Sequence, residues 1–243
     1  MATTLMAAPV APNQFEWTPT LAGYFDVVFQ YMQQAKGPGG RPSRTCDLSR
    51  AAMPIAPTPL PFPPGLVLEH VAVGRGVQNY TCANATAIPT AAGAVAKFYN
   101  TSCIAADYPD LLGLIPNLAL QYPLPPNPTA PLEPADLQLS THHFFSNATT
   151  PVFAFDAVTS PKLGTVFAAK GNSSEAPANA VAGVSGAGNG AVPWLYLTSR
   201  PTTQGDIKAV YRLNTAGGQP PATCANMPAA FSVDYAAIYW FWK

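Results

Sequence analysis

Two adjacent histidines, His142 and His143, are the most obvious candidates for chemistry in this chain. Successive residues of a β-strand point to opposite faces, so the pair is not expected to chelate one metal ion. One imidazole should face inward and the other should face solvent. An inward histidine is either a catalytic or ligand-binding group or a hydrogen-bonded core residue. We predict a catalytic role for His143 and a substrate contact for His142.

A second set of polar side chains follows the segment Gly74-Arg75-Gly76, where Arg75, Gln78 and Tyr80 lie at i, i+3 and i+5. The two glycines indicate a bulge or a close approach of another backbone. A guanidinium at such a place can donate a hydrogen bond to a ligand carbonyl. Arg75 and Gln78 are therefore predicted catalytic residues and Tyr80 a substrate contact. The competing interpretation is a structural arginine that holds loop carbonyls.

Large aromatic residues near the end of the chain are further candidates for substrate binding. They belong to the core by default, and only those at a sheet end or a cavity mouth would meet a ligand. The predicted substrate contacts among them are Trp194, Tyr211, Tyr239 and Trp242.

Several motifs of common enzymes are absent from the sequence. The glycines of residues 186–190 have the wrong spacing for dinucleotide binding, and no phosphate-binding loop, nucleophile elbow or His-Glu-x-x-His is present. We therefore expect no cofactor and no metal. The 12 basic and 12 acidic residues give zero net charge and no basic stripe, which argues against nucleic acid as a partner. No stretch approaches the roughly 20 apolar residues of a transmembrane helix.

Asn-x-Ser/Thr sequons and cysteines indicate the secretory pathway, either outside the cell or in a vacuolar or vesicular lumen. The predicted glycosylation sites are Asn79, Asn84, Asn100, Asn147 and Asn172. Residues 1–12 lack the basic start of a signal peptide. We therefore expect that a leader has been removed; the alternative is that the sequons are not glycosylation sites.

The four cysteines allow three disulfide pairings. Cys82 and Cys103 are close in sequence and are expected to pair, so that Cys46 and Cys224 tie the start of the domain to its end. The alternative is four free thiols in a cytosolic protein.

The chain divides into an arm, residues 1–45, and a single domain, residues 46–243, which contains all the candidate residues. The arm contains one amphipathic helical pattern, which can pack on the domain, cover a pocket or form a homodimer. The pattern consists of Leu21, Tyr24, Phe25, Val28, Phe29 and Met32. The domain has short strand-like segments, turn signals and long proline-rich loops, which favour an all-β antiparallel sandwich of Greek-key type.

Several segments together resemble a family of secreted fungal proteins of unassigned domain function, often labelled "malate dehydrogenase". The segments are Cys46-Asp47-Leu48-Ser49, Gly74-Arg75-Gly76 with Gln78-Asn79-Tyr80-Thr81-Cys82, Thr141-His142-His143-Phe144-Phe145, Tyr211-Arg212-Leu213-Asn214-Thr215-Ala216-Gly217-Gly218 with Pro220-Pro221-Ala222-Thr223-Cys224, and Tyr235-Ala236-Ala237-Ile238-Tyr239-Trp240. The resemblance runs from about residue 46 to residue 242. The missing nucleotide fingerprint gives the dehydrogenase label no support.

One subfamily resembles the hetero-Diels–Alderases of tropolone–sesquiterpene biosynthesis. The resemblance implies a cofactor-free pericyclase that joins two apolar small molecules, an o-quinone methide and an alkene such as humulene, in a fungal meroterpenoid pathway. The hydrogen-bond donor would be His143, Arg75, Gln78 or a tyrosine. The main alternative is a non-catalytic secreted glycoprotein that binds an apolar small molecule or a cell-wall polysaccharide. A hydrolase or lyase would instead require His143 near a carboxylate.

Overall fold

The computed structural model describes residues 46–124, 127, 129–132, 136–158, 160, 162–183 and 189–243, together with Thr20, Gly23, Val27 and Val28. The last four are helical. The remainder of the predicted amphipathic helix, and any homodimer contact through it, lies outside the described residues. No helix in the described part is long and apolar enough to cross a membrane.

Eight antiparallel strands form a closed barrel in chain order, and the last strand pairs with the first. The strands are β1 (Leu68–Thr81), β2 (Thr90–Asn100), β3 (Leu139–Asn147), β4 (Thr150–Ala154), β5 (Thr165–Ser174), β6 (Trp194–Ser199), β7 (Ala209–Gly217) and β8 (Ala230–Trp242). Short helices connect β2 to β3, namely α1 (Ser102–Asp107), α2 (Pro109–Leu112) and α3 (Ile115–Gln121). The all-β class was expected, but the predicted sandwich was wrong.

Pairing between β1 and β8 closes the barrel. The two strands pair from Leu68 opposite Trp242 to Thr81 opposite Ala230, with one register shift between Leu68 and His70. A sandwich and a barrel produce the same alternation of inward and outward residues along each strand. The alternation therefore could not distinguish them, because the deciding contact joins opposite ends of the domain.

Strand β8 is buried on both faces. Tyr235, Tyr239 and Phe241 belong to the cluster of side chains that fills the barrel, whereas Ile238 and Trp240 belong to a second cluster outside it. Helices α1 to α3 and the proline-rich residues 53–62, here called the strap, supply the other side of this outer cluster. The outer layer explains why the strand is a nearly continuous apolar run rather than an alternating one.

Two disulfides link Cys46 to Cys103 and Cys82 to Cys224. The expected pairing of Cys82 with Cys103 and of Cys46 with Cys224 was wrong. Cys82 follows β1, whereas Cys103 lies beyond β2, whose 11 residues span about 35 Å at roughly 3.3 Å per residue. The two cysteines therefore lie at opposite ends of the barrel despite their closeness in sequence. Cys46 instead joins the start of the domain to α1.

Candidate functional site

Two cavities border the barrel wall. The first, here called the barrel pocket, opens at the end of the barrel near the β3–β4 turn and has a volume of about 250 Å³. It is lined by Gln78, Ala91, Gly93, Ala94, His143, Phe145, Ala148, Thr149, Pro151, Phe153, Lys170, Leu195, Leu197, Arg212 and Tyr239. The second, here called the strap cavity, lies between the strap and the outer face of β7 and β8 and has a volume of about 460 Å³. It is lined by Met53, Pro54, Ile55, Ala56, Pro59, Leu60, Phe62, Tyr211, Leu213 and Trp242.

The polar groups of the barrel pocket come from five different strands. Gln78 lies on β1, His143 on β3, Lys170 on β5, Arg212 on β7 and Tyr239 on β8. Pairing of β7 with β8 brings Arg212 and Tyr239 directly opposite each other. These inward side chains share one hollow because alternate residues of every barrel strand face the interior.

His143 is the inward member of the histidine pair and lines the barrel pocket. Its Nδ1 lies 2.8 Å from the carbonyl oxygen of Val152, and its ring stacks on Phe153 with centroids 4.5 Å apart. Burial lowers the pKa of His143 to about 4, so the imidazole is neutral at physiological pH. Because Nδ1–H must donate to the carbonyl, Nε2 carries no proton and can only accept a hydrogen bond. Neutral His143 therefore cannot be the donor to a ligand carbonyl.

Gln78 also lines the barrel pocket, as an inward residue near the end of β1. Its Nε2 is buried and has no hydrogen-bond partner among the residues that the structure describes. A buried donor without a partner is costly, by about 1–3 kcal/mol. A guest in the pocket that offers an oxygen to this amide would remove that cost.

Arg212 contributes a guanidinium to the barrel pocket that the sequence analysis did not select. Its Nε and Nη2 donate to the carbonyl oxygen of Pro193 at 3.2 and 2.8 Å. Burial raises the pKa of Tyr239, while the nearby Arg212 favours the ionised phenol and limits the rise. The usable signal was that Arg212 is the one charged residue of β7, in a chain with only 10% charged residues.

Arg75 lines neither cavity and lies on the outer face of β1. Its Nη1 donates to Asp234 Oδ1 at 2.8 Å and to the carbonyl oxygen of Gly76 at 3.0 Å, and its Nε donates to the carbonyl oxygen of Ala119 at 3.2 Å. This geometry favours the structural interpretation of Arg75 over the catalytic one. Its two flanking glycines do mark a close approach of β2, as expected.

Three of the predicted substrate contacts also lie away from the cavities. His142 faces outward, where its Nδ1 lies 2.7 Å from Asp156 Oδ1, so the carboxylate neighbour belongs to this histidine and not to His143. The Tyr80 hydroxyl donates to the carbonyl oxygen of Gly218 at 2.7 Å. Trp194 is buried in the outer cluster. None of the three lines either hollow.

The remaining predicted contacts divide between the two cavities. Tyr239 lines the barrel pocket, where its ring lies 4.2 Å from that of Phe98. Tyr211 and Trp242 line the strap cavity. The Tyr211 hydroxyl donates to the carbonyl oxygen of Pro61 at 2.6 Å, which leaves no free side-chain hydroxyl in that cavity.

A third histidine, His70, was not selected from the sequence and is buried with two serines. Its Nε2 lies 3.1 Å from Ser140 Oγ, and its Nδ1 lies 3.5 Å from Ser102 Oγ. Burial lowers the pKa of His70 to about 4. Ser140 is fully buried, so this pair cannot reach a substrate, and we regard it as part of the core.

Four of the five sequon asparagines are exposed, and Asn79 is half-buried. The Oδ1 atoms of Asn84 and Asn147 accept hydrogen bonds from the hydroxyls of Thr86 and Thr149, two residues further on. Asn79 Oδ1 accepts a hydrogen bond from Ser232 Oγ at 2.7 Å.

No group of residues that could hold a metal ion is present in the part of the chain that the structure describes.

Fold and site together define a closed antiparallel β-barrel protein with an aromatic pocket at one end and several polar groups facing it. Residues 63–243 match the model of the family described as "Protein of unknown function (DUF3455)", and the chain belongs to this family. Residues 1–61 match a second model, "Protein of unknown function (DUF2990)". No curated protein and no solved structure matches the chain. The family assignment agrees with the expected membership of a family of unassigned domain function.

Proposed function

We propose that this protein is a cofactor-free pericyclase, a hetero-Diels–Alderase that joins a tropolone-type o-quinone methide to a sesquiterpene alkene such as humulene. The observation that carries the proposal is the barrel pocket, where Gln78 Nε2, which has no partner in the described chain, and the Arg212 guanidinium face a wall of apolar side chains. Apolar pockets with a few convergent polar groups are typical small-molecule sites.

The reaction itself needs no cofactor. The four-atom heterodiene and the alkene form one C–C bond and one C–O bond from their own π electrons, and no atom leaves. Holding two reactants in the correct orientation can lower a bimolecular barrier by about 7–11 kcal/mol. Hydrogen bonds to the heterodiene oxygen add to this effect because negative charge develops there in the transition state.

The pocket offers groups for each of these tasks. Gln78 Nε2 and the Arg212 guanidinium are the proposed donors to the heterodiene oxygen. Phe145, Phe153 and Leu197 supply apolar surface for the alkene.

His143 Nε2 can accept the hydrogen bond of a ring hydroxyl. If the quinone methide forms in the pocket from a hydroxymethyl precursor, the ring hydroxyl loses its proton. The hydroxide that leaves the hydroxymethyl group takes up one proton. The net change is the loss of one water molecule.

The size of the barrel pocket limits how the reactants bind. Its volume of about 250 Å³ is slightly below the roughly 300–1,000 Å³ that is common for drug-sized ligands. We propose that one reactant is enclosed and that the other lies across the mouth, beside Ala91, Ala148 and Thr149. A bulky residue at the mouth should therefore interfere with the second reactant.

Filling the mouth tests the proposal. Ala91 is an exposed residue of β2 that lines the pocket, so Ala91→Trp should lower the rate of adduct formation by at least about tenfold, equivalent to roughly 1.4 kcal/mol. The measurement is the yield and stereochemistry of the adduct after mixing protein, hydroxymethyl precursor and humulene. Val95→Trp is the matched control, because Val95 is an exposed residue of the same strand that lies outside the pocket. A product mixture equal to that without protein would contradict the proposal.

The strap cavity favours a second candidate function, non-catalytic binding of an apolar small molecule. It is larger than the barrel pocket and apolar, and its one tyrosine hydroxyl is already bonded to Pro61. In the same experiment this function predicts humulene binding that Ala91→Trp does not change, with no adduct above background. Polysaccharide binding has less support, since the exposed aromatic residues Phe62, Tyr108 and Phe144 belong to separate elements of the described chain.

A further inference from the structure

We infer that the barrel pocket is an anion site, whose guest has an apolar body and one ionised oxygen that pairs with Arg212. The inference deepens the proposed function by naming the class of reactant, and it rests on that function only in placing a reactant in this pocket.

The charge of Arg212 has no carboxylate partner in the described chain. Three cations of the described chain have carboxylate partners: Arg50 lies 3.3 Å from Asp107, Arg75 lies 2.8 Å from Asp234, and Lys243 lies 2.5 Å from Glu69. The other six described Lys and Arg residues have none, and of these six only Arg212 and Lys170 line the barrel pocket. Arg212 is half-buried, and no carboxylate of the described residues lies within 4.0 Å of its guanidinium. Removing a cation from water without an anionic partner is unfavourable.

Arg212 also has hydrogen-bond donors that its contacts within the protein do not use. A guanidinium has five N–H donors; Nε and Nη2 of Arg212 donate to the carbonyl oxygen of Pro193, and the guanidinium also hydrogen-bonds the Tyr239 hydroxyl. These contacts fix the side chain in position, as a binding group requires. The guanidinium has more donors than these contacts use, so donors remain for a guest, and the planar group suits an oxyanion.

The lining of the barrel pocket as a whole is positively charged. Lys170 is a second cation at the pocket, and none of the lining residues is Asp or Glu. The buried Nε2 of Gln78 adds a donor without a partner in the described part. All of these groups favour an electron-rich guest.

The chemistry of the remaining wall specifies the rest of the guest. Phe145, Phe153, Leu195 and Leu197 give the pocket an apolar surface, and its volume of about 250 Å³ admits a small ring system. A carboxylate and an ionised enol both provide the required oxygen.

Two pairs of probes test the inference by calorimetric titration, without any reaction taking place. Benzoate is compared with benzamide, and tropolone above its pKa with 2-methoxytropone, so each acid has a neutral counterpart of similar shape. At least one acid should bind about tenfold or more tightly than its counterpart, and Arg212→Gln should weaken it by about tenfold to a hundredfold. The acid that binds identifies the source of the oxygen. Arg50→Gln is the control, because it removes the same charge from an exposed ion pair away from the pocket.

Equal binding of acids and neutral counterparts would overturn the inference, as would no acid binding or unchanged binding in Arg212→Gln. If that variant does not fold, the comparison on the unaltered protein decides, and Arg212→Lys should retain part of the preference for the acid. Failure of the proposed function is distinguishable: if acids bind through Arg212 while no adduct forms above background, the anion site stands and the pericyclase does not.

Discussion

Gly74 and Gly76 show at the scale of single residues how the barrel interior is shaped. A Cβ atom on Gly76 would collide with the carbonyl oxygen of Val95 and lie 2.5 Å from Ala96 Cα. A Cβ atom on Gly74 would lie 2.7 Å from the Phe98 ring and 2.8 Å from the Tyr239 ring. The absence of side chains at these two positions lets β2 approach β1 and makes room for aromatic rings beside the barrel pocket.

Gly76→Ala should therefore destabilise the protein by about 1–3 kcal/mol, because the obstruction is backbone that cannot move aside. The free energy of unfolding in urea measures the effect. Gly113→Ala is the control, since the nearest atom to a Cβ there is Asn214 Nδ2 at 3.5 Å, an ordinary contact. Equal stability of the two variants would show that β1 and β2 are not held as closely as described.

At the scale of elements, Arg75 joins three parts of the structure. It lies on β1, its ion pair reaches Asp234 on β8, and its Nε donates to Ala119 in α3. The guanidinium is almost fully buried, whereas the Asp234 side chain is 48% exposed. Much of the contribution of Arg75 to stability therefore comes from its hydrogen bonds to backbone carbonyls rather than from the ion pair.

Arg75→Met should lower the free energy of unfolding by about 1–3 kcal/mol, because the Ala119 carbonyl loses its charged donor. Arg50→Met is the matched control, since its ion pair with Asp107 is exposed and should contribute little. Adduct formation per folded molecule should not change in Arg75→Met. A fall in that activity without a fall in stability would restore the catalytic assignment of Arg75.

At the scale of the whole molecule, two neutral histidines within the fold make stability sensitive to acid. Burial lowers the pKa of both His70 and His143 from 6.5 to about 4. Between about pH 4 and pH 6.5 the unfolded chain binds more protons at these two residues than the folded chain does, so stability falls as the pH falls. Above pH 6.5 both states are neutral at these residues, and their contribution is constant.

Each histidine should therefore reduce the free energy of unfolding by roughly 1.4 kcal/mol per pH unit between about pH 6.5 and 4. Urea midpoints measured across this window test the prediction, with the range above pH 6.5 as the internal control. His143→Phe should keep the ring against Phe153 and remove about half of the slope that the two histidines produce. An unchanged slope in this variant would mean that His143 is not buried in its neutral form.

Local patterns determined those features of the protein that depend on neighbouring residues. Strand alternation correctly predicted that His142 and His143 face opposite sides, and the glycines around Arg75 correctly predicted a close backbone approach. Gln78 was selected from its place in the same segment, and it lines the barrel pocket. Its role as a donor remains a prediction.

Only the tertiary structure decided which distant residues meet. Barrel closure between β1 and β8, the pairing of Cys82 with Cys224 and the position of Arg212 beside Tyr239 all join residues that no local pattern links. The direction of the Val152 carbonyl likewise decided that Nε2 of neutral His143 is an acceptor and not a donor. The physical reason is that alternation specifies the face on which a side chain lies, whereas strand pairing specifies its neighbours across the barrel.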